Sequence, residues 1–249
     1  MASGSSAKKV ARLAQKGKGK KVRFQDGTVF PAVMAIVIII GVGLVSYARQ
    51  APAASDVPPI IGDRWHIPFG IYKCDAFLDN VAGNKTETAP SDPNVLKYGV
   101  YSDDDGIIHW HPQLAATGKK AKLGAYLDTY GIKVDSKGIT FPADQNKGAS
   151  YSVENDLCKD KDGKEVKAQV QVIVWESAAN SAVSKKFITD FNNVRITNDE
   201  MAITVAFAAP GVTIPQPESV ANLKDVVAAE FGAATTTTVA GATTTTTGG

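Results

Sequence analysis

The stretch VFPAVMAIVIIIGVGLVSY, Val29 to Tyr47, carries no charge across 19 residues. As a helix it reaches about 28 Å at ~1.5 Å per residue, close to the ~30 Å hydrocarbon core of a bilayer. Gly41 and Gly43 are tolerable there, because opening the backbone in an apolar medium is costly. Tyr47 and Arg49 stand at the far end, where an amphipathic ring and a snorkelling cation belong. The run therefore predicts one transmembrane helix over residues 29–48. Residues 1–28 hold eight basic side chains against Asp26 alone, a net +7, while the remaining chain holds 19 basic and 24 acidic residues. Positive charge on the N-terminal flank keeps that end in the cytoplasm, so the chain from about residue 50 is expected outside, on a single-pass cell-membrane protein. A cleaved secretory leader, cut within ARQAPAAS, is the main alternative, though its apolar region is usually shorter. A buried core helix is the other.

The charge split also bears on partners. A basic tail before a mildly acidic body is not the profile of a nucleic-acid-binding domain, so the membrane itself and a protein at the cell surface are the expected partners. The leader lysines read as a solvated, disordered tail that leans on anionic lipid, at ~1 kcal/mol each at most. Residues 49–59, rich in proline and alanine, read as a stiff linker. From Gly232 the Thr-rich sequence cannot bury enough apolar surface to fold and reads as a disordered tail. Asn84-Lys85-Thr86 is a glycosylation sequon, meaningful only where the cell has that machinery.

Residues 60–231 remain, enough for one domain with its own core. WHIPFGIYKCDAF reads as a strand, and GIIHWHP as a second, stopped by Pro112. KKAKLGAYLDTYG reads as a helix with Gly131 past its end. IKVDSKGITFP reads as two extended pieces around Asp135–Gly138. KAQVQVIVWES alternates most cleanly and predicts a strand. NVRITNDEMAITVAFAAPG predicts a hairpin turning at Asn198-Asp199-Glu200, and VANLKDVVAAEF a terminal helix. Strands, a helix, then strands predict an α+β domain with a mixed or antiparallel sheet and one or two helices, in an order compatible with a β-grasp.

Cys74 and Cys158 are the two cysteines of the chain. An even count in an oxidising compartment predicts one disulfide. Closing a loop of about 85 residues stabilises the fold by roughly 4–5 kcal/mol in the chain-entropy description.

The histidines His66, His109 and His111 each neighbour a tryptophan. On a strand, His109 and His111 share one face and Trp110 takes the other. Their Cα atoms then lie about 6.6 Å apart, near enough for both imidazoles to reach one ion. His66 joins them if the two strands pair, and Asp103, in the acidic turn with Asp104 and Asp105, offers an oxygen. A set of three histidines and a carboxylate suits zinc or copper. The competing reading is a patch of hydrogen-bonded core histidines beside a solvated acidic turn.

These segments resemble a family of actinobacterial single-pass membrane proteins. The resemblance rests on DRWHIPFGIYKCDAF, DGIIHWHP, LGAYLD, Cys158 and AFAAPGVTIPQPES, and covers most of residues 20–225. It implies a basic leader, one anchor and a His/Trp-rich outer domain. The chain departs from the family at Arg64, where histidine is usual, and at Tyr101-Ser102-Asp103, where His-x-His is usual. A six-histidine patch is thereby reduced to three.

The expected function is a membrane-anchored cell-surface binding or interaction module that holds zinc or copper through His66, His109, His111 and Asp103. The alternative is a structural envelope protein or assembly subunit without a ligand. An extracytoplasmic metal-dependent enzyme has less behind it. There is no Gly-x-Ser-x-Gly motif and no phosphate-binding glycine loop, and the acid pairs Asp103/Asp105 and Asp199/Glu200 fall in turns, so no catalytic residue is named.

Overall fold

A computed structural model of the chain describes residues 29–50, 57–84 and 92–235. The basic leader, most of the proline linker, two residues of the sequon and the tail beyond Thr235 lie outside them. The uncharged N-terminal stretch is helical from Val29 to Gln50 (α1), 22 residues long. Its large apolar side chains from Val33 to Val45 are exposed. Among the described residues no helix is long and apolar enough to cross a membrane. On α1 the described side chains are those of residues 33–46.

The chain divides into two compact units after Pro52, and the second is α+β with a mixed sheet. Its first strand, Trp65–Lys73 (β1), is followed by Ala76–Phe77 (β2), a short helix Pro93–Tyr98 (α2), Val100–Tyr101 (β3) and Ile107–Trp110 (β4). After a helix, Leu123–Tyr130 (α3), come two small antiparallel patches. These are formed by Lys133–Asp135 (β5), Gly138–Thr140 (β6) and Ser150–Ser152 (β7), and by Leu157–Lys159 (β8) and Glu165–Lys167 (β9). Gln169–Trp175 (β10), Ser184–Phe187 (β11), Ala202–Ala208 (β12) and a terminal helix Leu223–Thr235 (α4) complete the unit. The main sheet runs β11-β10-β12-β1-β4-β3, with β2 paired to β1. β1 and β12 are parallel, and the other pairings in this sheet are antiparallel.

Strand periodicity separates the two faces of this sheet. Ile67, Phe69, Ile71, Ile108, Trp110, Ile203, Val205 and Phe207 enter the larger core, together with Leu123, Tyr126 and Leu127 of α3. Phe69 meets Tyr126 edge-on at 5.0 Å between ring centroids. The opposite face carries Tyr72, Ile107, Ile173, Trp175 and the small residues Ala202, Ala206 and Ala208, packed with Leu223, Val226 and Val227 of α4. Each face thus has its own helix. The small side chains of β12 leave room for the second one.

The cysteines form the expected bridge, Cys74–Cys158, with S–S 2.01 Å across 84 positions. It ties the residue after β1 to β8. Cys158 is buried in the larger core.

Two local expectations are corrected. The helix expected from Lys119 starts at Leu123, because Gly118–Lys120 is a 3₁₀ turn and Lys122 bridges to Arg195 in extended pairing. Gly131 ends it as expected, at φ 64°. The hairpin expected around Asn198–Glu200 does not form. β12 is already paired on both sides, by β1 and β10, so residues 194–198 have no edge to join. The turn binds β1 instead. The His66 amide donates to Asp199 Oδ1 at 2.8 Å, and the Glu200 amide to the His66 carbonyl at 3.2 Å.

Candidate metal centre

β1 and β4 pair so that His66 stands directly opposite His109. Trp65 is opposite Trp110 on the other face, where the Trp110 indole is fully buried and donates to the Ala116 carbonyl at 3.1 Å. The alternation therefore directs tryptophan into the main core and histidine to the α4 face. His111 follows β4 and is held by its amide, which donates to the Gly99 carbonyl at 2.8 Å. Gly99 caps α2 at φ 67°, and a Cβ there would lie 2.0 Å from the His111 carbonyl oxygen. Only glycine accommodates that approach together with the left-handed backbone. All three imidazoles are buried.

The fourth member comes from α4. Glu230 points its carboxylate among the histidines, with Oε2 2.5 Å from His66 Nε2 and 3.5 Å from His109 Nδ1, and Oε1 3.2 Å from His111 Nε2. One ligand atom from each of His66, His109, His111 and Glu230 lies within 4.8 Å of every other. Arg64, at the rim, donates from Nη1 to Glu230 Oε1 at 2.6 Å. Burial works to raise the Glu230 carboxyl. Hydrogen bonds from His66 and Arg64 and the positive potential of His111 and His66 outweigh it and hold the group down at about 2.

His109 is oriented from behind. Its Nε2 lies 2.9 Å from Asp105 Oδ2, while Asp105 Oδ1 accepts the Ile107 amide at 2.9 Å. Tyr101 stacks on the ring at 5.1 Å between centroids and 11°. A proton shared with a carboxylate belongs on Nε2, so the neutral ring turns its Nδ1 lone pair into the cluster. That Nδ1 is buried and makes no hydrogen bond among the described residues. Burial opposes charging His109, but the hydrogen bond with Asp105 and the charges of Asp105, Asp103 and Glu230 prevail and raise its pKa.

The sequence-derived set is thus brought together in part. His66, His109 and His111 converge. Asp103 stands outside the convergence, half-exposed, with Oδ2 3.9 Å from His109 Nε2 on the side away from Glu230. Burial, the largest influence on it, raises its carboxyl. Glu230 takes the place that Asp103 was expected to fill. Beside the cluster an open cleft is bordered by Arg64, Tyr101, Asp103, His109, Val226 and Glu230.

The donor set fits a divalent ion. Three imidazoles and one carboxylate suit zinc, and imidazole suits copper as well. Tetrahedral ligands at ~2.0–2.1 Å from an ion sit about 3.3 Å from one another. On Oε2 the 3.5 Å separation from His109 is near that value and the 2.5 Å His66 pair would widen, while His111, 3.2 Å from Oε1, would turn toward the ion; the four ligand atoms lie within 4.8 Å of one another. A carboxylate behind a ligating histidine, as Asp105 is behind His109, fixes tautomer and ring direction in metal sites.

No family model, curated protein or solved structure matches the chain.

Proposed function

We propose that the protein is a membrane-anchored module that displays its α+β domain outside the cytoplasm and holds a zinc or copper ion through His66, His109, His111 and Glu230. The observation that carries the metal reading is His109 Nδ1. In the neutral ring with its proton on the Asp105 side, the buried Nδ1 lone pair faces a carboxylate oxygen at 3.5 Å and has no other hydrogen-bond partner among the described residues. A buried acceptor facing a half-buried carboxylate is costly unless a cation or a proton lies between them. Four protein ligands make a closed set, which favours holding an ion over catalysis at it.

Several features support the placement. The uncharged run from Val29 to Tyr47 follows a leader that carries the positive flank, and a disulfide suits an oxidising compartment. The resemblance to actinobacterial single-pass membrane proteins agrees with this placement. A partner protein at the cell surface belongs to the same proposal. The order β4-β1-β12-β10 around a central parallel pair, with α3 against one face, supports a β-grasp-like reading of the domain.

One observation favours a purely structural role. The Arg64 ion pair and the His66 hydrogen bond satisfy Glu230 without an ion. The full chain, purified in detergent without a histidine tag, distinguishes the two by its zinc and copper content. The metal reading expects close to one ion per chain, falling at least tenfold in His109→Ala and His111→Ala. Near-zero metal in the wild type after incubation with either ion overturns it and leaves the structural role.

A further inference from the structure

We infer that α4 is a strap whose far end is locked down by the ion, so that metal binding and helix docking are one coupled event. The inference rests on the metal reading above. The three histidines belong to a framework that does not need α4. His66 and His109 are fixed by strand pairing, and His111 by the hydrogen bond its amide donates to the Gly99 carbonyl. Glu230 lies 119 positions beyond His111 and reaches the site only because α4 lies across this face. The helix is secured at its near end. Leu223, Val226 and Val227 pack into the second core, and Ser219, just before the helix, donates to the Gly106 carbonyl at 2.7 Å. Its far end is held differently. Phe231 is 54% exposed and meets the His66 ring edge-on at 6.4 Å, while Glu230 supplies a polar attachment to all three histidines.

An ion between the imidazoles and Glu230 would strengthen the far attachment and leave the near one untouched. Arg64 can keep Oε1 while the ion takes Oε2, which His66 and His109 face, and His111, now on Oε1, would turn toward the ion. The converse sets the ligand chemistry of the site. Lifting Glu230 leaves three histidines on the ion and one position facing the cleft that Arg64, Tyr101 and Val226 border. A small donor such as an imidazole or azide could enter there.

Hydrogen–deuterium exchange of the full chain in detergent, with and without zinc, tests the coupling. Metal content is measured on the same samples. Zinc is expected to slow amide exchange over residues 228–235 by at least about fivefold and to change residues 219–226 much less. In Glu230→Gln zinc should still bind, with Kd weakened about tenfold or more, and exchange over 228–235 should no longer respond to it. The cobalt-loaded variant should show an azide-dependent visible spectrum that the cobalt-loaded wild type lacks. If the wild type binds zinc but exchange over 228–235 is unchanged, or if Glu230→Gln binds zinc as tightly as the wild type, the strap is wrong while the metal site stands. A wild type that binds no zinc overturns both, and its metal content identifies that case.

Discussion

Tyr130 joins α3 to the turn that carries Asp103 to Asp105. Its phenol donates to the Ser102 carbonyl at 3.2 Å and accepts the Ser102 amide at 2.7 Å, with the ring almost fully buried. Burial is the main reason its pKa rises well above the usual tyrosine range, and the charges of Asp103, Asp104 and Asp105 add to it against the Ser102 hydrogen bond. A folded pKa above the unfolded one stabilises the protein at pH values below the unfolded value of ~10, and that contribution is lost as pH rises beyond it. Tyr130→Phe strands both Ser102 backbone groups. It is expected to cost about 1–3 kcal/mol at neutral pH and to flatten the loss of stability above pH ~10. Urea melts of both proteins across the alkaline range check this. At the same scale, the histidines were legible because one alternation rule sends neighbours to opposite faces. Glu230 was not, because nothing local links it to His111. Its signal lay in the helix period: Leu223, Val226, Val227, Glu230 and Phe231 form a single stripe, with an acid where an apolar side chain is expected.

Among the elements, α2 positions the site through its cap. Asp92 starts it, accepting the Asn94 and Val95 amides, and Gly99 ends it where the His111 carbonyl comes closest. Gly99→Ala meets both a left-handed backbone and a clash at 2.0 Å, whereas Gly163→Ala, at φ 77° with nothing within 4 Å, meets only the first. The expected costs are about 1–2 kcal/mol at Gly163 and clearly more at Gly99, where zinc affinity should fall as well because His111 shifts. Denaturation and zinc titration of the two variants separate these effects. Gly124 has a related role inside α3. It weakens the helix on propensity, yet a Cβ there would lie 2.8 Å from the Asn192 carbonyl oxygen, so the helix can lie close against the Phe191–Asn193 turn. Sequence patterns located α3, the β5–β6 turn, β10 and α4. They misplaced the partner of β12, because pairing is decided by strands far away in the chain. They also passed over β11, whose side chains are largely exposed and show no buried alternation.

At the scale of the whole molecule, the proposed anchor and the disulfide make one prediction together. Protease added to intact cells should remove the chain beyond about residue 50 and spare the basic leader. Cys74 and Cys158 in that released portion should resist thiol reagents until reduced. A protected C-terminal domain would overturn the proposed topology. The sheet itself has a further bearing on how the protein is made. Its centre joins β1 to β12 in parallel, and Lys73 and Ala202 stand 129 positions apart. At ~5–20 residues per second, ribosomes need on the order of 10 s to bridge that gap. For that interval the first strand emerges without its central neighbour, so fragments ending between Lys73 and Ala202 are expected to aggregate, which a solubility assay of such truncations checks.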